Sequence, residues 1–244
     1  MKDLLTYSSW AMAVTGLLVL LFTLFKFPAQ YGRYANKARY GIEPRNAWLA
    51  QSTPSLLIVL YFSWYHTDHK CGLFVNLLIC VHIFYRTFYF ASRIGGGTVC
   101  PLYIVILSTA FHTINGLMQV AWNANYILCE DSDFVNIFGC IVFGFGIMIN
   151  KQADDTLIDL RIEGETGYKI PKGFLFKYVS CPNYLGEIIE WIGYAIAVGS
   201  PPAIAYAFFV ACNLGSRAIR HHKWYLDKYP EYPMHRKAII PRLL

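Results

Sequence analysis

The chain has 244 residues, of which 56% are hydrophobic and 15% charged, and it carries a formal net charge of +6. A soluble domain carries about 25% charged residues, so this composition excludes an ordinary soluble globular protein. No Asp, Glu, Lys or Arg occurs from Leu4 to Phe25, from Thr98 to Cys129 or from Trp191 to Ser216, and each run reaches the roughly 20 residues that cross a bilayer as a helix. Because later runs are as apolar as the first, the first reads as a span and not as a leader ahead of a soluble body.

In chain order, hydropathy predicts seven spans, at about 5–26, 47–65, 72–92, 99–122, 134–150, 183–199 and 201–216. After the first comes a basic segment holding Lys26, Arg33, Lys37, Arg39 and Arg45. The third carries His82 and Arg86 at i and i+4, and is followed by Gly95-Gly96-Gly97. That triplet reads as a turn, since it lacks the spacing of a P-loop or of the Rossmann fingerprint. The fourth carries His112, Asn115 and Gln119 along one stripe, and the fifth ends in Asn150 and Asp154, with Arg161 seven residues on. The 151–182 segment is charged and turn-rich, yet it holds Tyr168, Ile170, Phe174, Phe176 and Tyr178. So many large apolar groups argue against disorder and for a segment folded over the mouth of the bundle.

The sixth span places Asn183, Glu187 and Glu190 at i, i+4 and i+7 on one helical face. Ser200-Pro201-Pro202 then divides a long apolar run, as a capping Ser followed by Pro does at a helix start. Beyond the seventh span, Arg217, His221 and Tyr225 follow at i, i+4 and i+8. An odd number of spans puts nineteen of the 21 basic residues on one face, leaving Lys2 and Lys70 on the other. By the positive-inside rule that face, with the C-terminus, is cytosolic. Topology therefore accounts for the net charge, and nucleic acid is not implied. The seven cysteines have no metal spacing and no CxxC, and their odd number and scatter argue against a disulfide framework. Cys71, Cys80, Cys100, Cys140 and Cys212 read as small buried apolar groups.

Carboxylates inside a span cost several kcal/mol unless something meets them. Arg217 and His221, His82 and Arg86, and the Asn150–Asp154 pair are the available partners. Four polar stripes converge on a common interior, which suits an enzyme, a transporter or a receptor, or ion pairs that only hold helices together. A transporter should show internal repeats, and none is visible.

The run Asn183-Tyr184-Leu185-Gly186-Glu187-Ile188-Ile189-Glu190-Trp191-Ile192-Gly193-Tyr194 resembles the signature of the steroid 5α-reductase family. So do Gly167-Tyr168-Lys169-Ile170-Pro171, the Asn150…Asp154 pair, Arg217…His221-His222…Tyr225 and Arg236-Lys237-Ala238-Ile239-Ile240-Pro241. The resemblance covers about residues 110–244 closely and the first half loosely, where Tyr31-Gly32-Arg33 and Ala47-Trp48…Gln51…Pro54 are also similar.

The resemblance implies an all-α protein of seven transmembrane helices whose cytosolic loops close a cofactor pocket. It implies a single membrane domain, 1–244, whose C-terminal half, 100–244, binds NADPH. Tyr31, Asn150, Asp154, Arg161, Tyr168, Lys169, Asn183, Glu187, Arg217, His221 and Tyr225 would line that pocket. The family's reaction is reduction of the C=C bond of an enone lipid, a Δ4-3-oxosteroid above all, in the endoplasmic reticulum membrane and without metal. Negative charge builds on the carbonyl oxygen in that reaction, so a donor must be aimed at it, and in the family a Glu and a Tyr take this part.

Here the sequence departs. The family's Gln-Glu-Leu-Pro is Gln51-Ser52-Thr53-Pro54, its His-Tyr-x-x-Arg is His82-Ile83-Phe84-Tyr85-Arg86, and an Arg of the fourth span is Leu107. Either the donor has moved, with Gln51 and Tyr85 as the catalytic candidates beside Tyr89, His82 and Ser52, or the substrate is another conjugated lipid, such as an enoyl thioester or a polyprenoid. An isoprenylcysteine-type methyltransferase and a non-catalytic nucleotide-binding relative are the remaining alternatives.

Overall fold

The computed structural model describes residues 1–25, 32–34, 40–65, 70–94, 98–127, 134–160 and 167–244. Its helices are α1 (Lys2–Phe25), α2 (Pro44–Tyr65), α3 (Lys70–Phe84), the short α4 (Ala91–Arg93), α5 (Leu102–Asn125), α6 (Phe134–Asp159), α7 (Pro182–Val198) and α8 (Pro201–Lys228). A π-helical turn, Tyr85–Phe90, joins α3 to α4 without a break, and 3₁₀ turns cover Gly32–Tyr34 and Phe174–Lys177. Two-residue strands β1 (Gly41–Ile42) and β2 (Cys100–Pro101) pair antiparallel and bring the starts of α2 and α5 together.

Five helical stretches among the described residues are long and apolar enough to span a membrane: Lys2–Phe25, Cys71–Arg93, Leu102–Asn125, Phe134–Asp159 and Pro201–Lys228. The all-α membrane architecture expected from sequence therefore stands, whereas the count of seven is not reproduced. α7 is 17 residues long and carries two carboxylates, and α2 opens with Arg45 in its first turn. α7 falls one residue short of the length of a full span, and α2 exposes Leu57, Leu60, Tyr61 and Trp64 along one side.

Lipid is as apolar as leucine, so membrane helices associate through close packing and polar contacts, not through hydrophobic exclusion. The α6–α7 interface shows how. Gly139 and Gly146 of α6 face Gly193 and Gly186 of α7, and a Cβ on any of them would overlap backbone atoms of the other helix. Gly16 does the same where α1 crosses α8, its added Cβ falling 2.9 Å from Phe209 Cα. α2 meets α5 differently. Pro54 has no N–H for the Ala50 carbonyl four residues back, and Thr109 Oγ1 of α5, which donates to the Val105 carbonyl at 2.8 Å, lies 3.4 Å from that oxygen. Two turns on, the Gly116 Cβ direction ends 2.5 Å from Ser55 Oγ.

A buried amide network ties the half of the bundle away from the loops. Asn123 Nδ2 donates to Asn76 Oδ1 (2.9 Å) and to the Tyr194 hydroxyl (3.1 Å), while Gln119 Nε2 donates to Asn115 Oδ1 (3.1 Å) and the Pro202 carbonyl (3.0 Å). The turn expected at Ser200-Pro201-Pro202 is present: Gly199 is left-handed (φ 63°), and Ser200 caps α8 by accepting from the Ala203 amide at 3.2 Å.

The chain's end folds back as a lock. Ser180 Oγ lies 2.7 Å from both His222 Nδ1 and the Tyr232 hydroxyl, Val179 bridges Lys237, and Arg236 Nη1 donates to the Pro171 carbonyl at 3.1 Å. These contacts hold the 167–182 segment against α8. One reading of the cysteines needs correction. Cys80, Cys100, Cys140, Cys181 and Cys212 are free thiols, but Cys71 is disulfide-bonded. An odd count leaves at least one thiol over and forbids no bond, and Cys71 sits in the first turn of α3.

Candidate functional site

A cavity of about 630 Å³ runs between α2, α3, α5, α7 and α8. Arg86 organises its charged groups. It sits in the π turn, a local widening of the helix often found at functional positions, and it is buried. Its Nη1 lies 2.8 Å from Asp154 Oδ2 of α6, and its Nη2 lies 3.4 Å from Glu187 Oε2 of α7. The guanidinium also covers the rings of Trp48 (4.7 Å) and Phe90 (4.5 Å), so one planar cation is held by two carboxylates and two aromatic faces. The second Asp154 oxygen accepts from Asn183 Nδ2 at 3.1 Å, and Asn150 Nδ2 donates to the Asn183 carbonyl at 2.9 Å. This network is possible because the α6 and α7 backbones touch.

One turn further along α3, His82 Nδ1 meets Glu190 Oε1 at 2.6 Å, with the Trp191 ring edge-on to the imidazole. Glu190 is 1% exposed. α8 contributes Arg217 and His221, both buried. The Tyr184 hydroxyl lies 3.2 Å from His221 Nε2 and 3.5 Å from Arg217 Nη2, and Tyr34 stacks on His221 at 5.3 Å. An apolar part of the lining is supplied by Ile79, Ile83, Leu107, Phe111 and Val210, with the ring of Tyr206 beside them.

Of the residues singled out in the sequence, Gln51, Asp154, Tyr168, Asn183, Glu187, Arg217 and His221 line this cavity. Asn150 stands behind Asn183 and holds it in place. Tyr85 turns its hydroxyl to Asp154 Oδ2 (3.4 Å) and stacks on Tyr89. Lys169 is exposed, and Tyr225 is buried in a stack on Tyr232 beneath the C-terminal lock. Tyr31, Arg161 and the Gly95–Gly97 triplet lie outside the described residues.

The sequence left the partners of the α7 carboxylates open, and the structure assigns Glu187 to Arg86 and Glu190 to His82. Sequence reasoning missed Tyr184 and Tyr206. Both are aromatic residues in apolar runs, and nothing in their spacing marks them as cavity wall. Among the described residues no group of three His, Cys, Asp or Glu side chains could hold a metal ion.

Helices fit for a bilayer, enclosing a cavity lined by both charged and apolar side chains, define an integral membrane protein. The family profile described as 3-oxo-5-alpha-steroid 4-dehydrogenase matches residues 98–244. The bovine 3-oxo-5-alpha-steroid 4-dehydrogenase 1 is 38% identical to this chain, over 99% of the chain and 96% of its own length. The human 3-oxo-5-alpha-steroid 4-dehydrogenase 2 is 40% identical over 88% and 87%, and its rat counterpart is also 40% identical over the same shares. The chain belongs to the 3-oxo-5-alpha-steroid 4-dehydrogenase family, a family of oxidoreductases acting on CH–CH bonds.

Proposed function

We propose that this protein reduces the C4=C5 bond of a Δ4-3-oxosteroid with NADPH, giving the 5α-reduced ketone. The observation that carries the reading is a cavity lined by both a charged network and apolar side chains, in a chain similar to the steroid dehydrogenases over nearly its whole length. A steroid is a rigid apolar body with a polar carbonyl, and the apolar part of the lining offers a matching wall. The donor set of the charged network suits a nicotinamide nucleotide. Arg217 and His221 on α8 are placed for its phosphates, while Glu187 and Asn183 can accept from and donate to the carboxamide. Asp154 and Asn150 act through Asn183, by holding its side chain and carbonyl.

When bound, NADPH supplies a hydride for the β-carbon of the enone. The chain's own part is to orient both partners and exclude water, which strengthens every hydrogen bond inside. Gln51 lines the cavity and can donate from its amide, whereas Tyr85 is engaged with Asp154 and acts on that carboxylate. The 100–244 half supplies most of the nucleotide-binding groups within one membrane domain, and Tyr31, Arg161, Tyr168, Lys169 and Tyr225 complete the proposed set. The basic loops and C-terminus face the cytosol, with the endoplasmic reticulum as the membrane.

Ser52 and Ile83 favour a second reading, in which another conjugated lipid takes the steroid's place. The test is NADPH oxidation by the detergent-purified protein with a Δ4-3-ketosteroid, following product by mass. A 5α-reduced steroid supports the proposal, and tight NADPH binding without steroid reduction points to the second reading. In equilibrium binding, Glu187→Ala or Arg217→Ala should weaken NADPH roughly tenfold or more, the size of one charge-assisted hydrogen bond. Cys140→Ala should leave the affinity unchanged, because Cys140 does not line the cavity. Equal affinity in all three variants would sink the pocket assignment.

A further inference from the structure

The reaction needs a donor on the substrate carbonyl, and the two side chains that would be looked for first are not donors of that kind here. Position 52 is a short Ser, and position 83 is Ile, an apolar piece of the cavity wall. Besides Gln51 and the Tyr206 hydroxyl, the polar side chains along the apolar part of the lining include Ser52, Ser55, His82, Ser108, His112 and Asn115. Most are committed or short. His82 is tied to Glu190 through Nδ1, Asn115 accepts from Gln119, and Ser55 is wedged against Gly116.

His112 differs. Its ring lines the cavity and meets Phe111 edge-on, centroids 5.8 Å apart. No hydrogen bond joins that ring to another described residue. The place of His112 in the fold is set by the α2–α5 register. Thr109 sits opposite the Ala50 carbonyl and Gly116 opposite Ser55. Since both helices descend from the paired strands β1 and β2, His112, one turn past Thr109, lies level with Ser52. The small Ser of α2 thus stands beside the imidazole of α5 at one depth of the cavity.

We infer that His112 is the hydrogen-bond donor to the substrate's carbonyl oxygen, filling from α5 the place that a longer side chain at position 52 would fill from α2. The inference rests on the enone reduction proposed above. As the β-carbon gains a hydride from the reduced nicotinamide, the C=C electron pair moves toward the carbonyl oxygen. The imidazole N–H holds that oxygen as an enolate. A proton drawn from the solvent then bonds to the α-carbon and the C=O bond re-forms, so that enone, NADPH and H⁺ give the saturated ketone and NADP⁺. His112 donates throughout and undergoes no net change. His82 and Arg86, from α3 and the π turn that continues it, are the charged or chargeable groups close enough to act on it, and Asp154, Glu187, Tyr206, Arg217 and His221 share the cavity lining.

The experiment compares wild type, His112→Leu, His112→Gln and His112→Leu/Ser52→Glu, each checked for an unchanged thermal midpoint. Removing one such donor lowers kcat about 100-fold, so His112→Leu should show that loss with KM nearly constant. His112→Gln, which keeps an N–H, should lose less, and adding Ser52→Glu to His112→Leu should recover about tenfold by supplying a carboxylic acid from α2. A binding arm with NADP⁺-loaded protein compares a 3-oxosteroid with its 3-deoxy analogue. Wild type should prefer the 3-oxo compound, and His112→Leu should lose the preference. A kcat within threefold of wild type, or an unchanged preference, overturns the role of His112. Wild-type binding without turnover overturns the steroid reaction and leaves the binding arm to judge His112, while no steroid binding at all overturns both.

Discussion

Gly146→Ala should leave little folded protein, with a loss of about 3 kcal/mol or more, above the usual range for overpacking. The new methyl would overlap the amide nitrogen and Cα of Glu190, and it would also press on the Gly186 carbonyl. All three are helix backbone and cannot rotate aside as a side-chain tip would. α6 and α7 would have to separate. Their contact is the most extensive helix pair among the described residues, and the separation would also pull Glu190 from His82 and Asn150 from Asn183. Gly144→Ala is the control: it lies on the same helix, and an added Cβ there meets nothing within 4 Å. It should be neutral or stabilising by up to about 1 kcal/mol, through helix propensity. Thermal midpoints and size-exclusion profiles in detergent separate the two. Similar behaviour of the pair would mean that the glycine contacts do not set the helix spacing.

Arg86→Leu is expected to cost about 3–5 kcal/mol, the penalty for removing one partner of a buried charge pair. Asp154 and Glu187 have side chains 3% and 14% exposed, and both depend on the same guanidinium. Without it, two carboxylates remain in a low-dielectric interior, and Trp48 and Phe90 lose the cation that lies over both rings. Arg86→Lys should fall in between, because an ammonium keeps the charge but cannot fork to two acids or stack as a plane. Adding Asp154→Asn and Glu187→Gln to Arg86→Leu should restore part of the stability and none of the turnover. If the triple variant is no more stable than Arg86→Leu, the cost lies in lost packing and not in stranded charge.

Much of the architecture was legible in the sequence. Uncharged runs marked the long helices, the Ser200-Pro201 pair marked the break between α7 and α8, and the i, i+4, i+7 spacing placed Asn183, Glu187 and Glu190 on one face. Helix ends were less legible: α6 runs on to Asp159 and α8 to Lys228. Hydropathy reports where lipid stops, whereas backbone hydrogen bonds continue into water or protein at no penalty. The count of seven spans stays a reading of hydropathy, since five helical stretches among the described residues are long and apolar enough to cross a membrane and α7 has 17 residues.

The site divides along the same line. Residue types and periodicity established that four helices bring polar faces inward and that the carboxylates of α7 need partners. They could not say that Arg86 takes Asp154 and Glu187 while His82 takes Glu190, nor that Asn115 and Gln119 serve the amide network while His112, on the same stripe, faces the cavity. Periodicity within one helix fixes which residues share a face. The rotation and depth of one helix against another are set by contacts between distant residues, here Gly146 on Glu190 and Thr109 on the carbonyl that Pro54 leaves open. The sequence by itself therefore determined a membrane bundle with a polar interior, and the tertiary packing alone decided which charges meet and which side chains face the substrate.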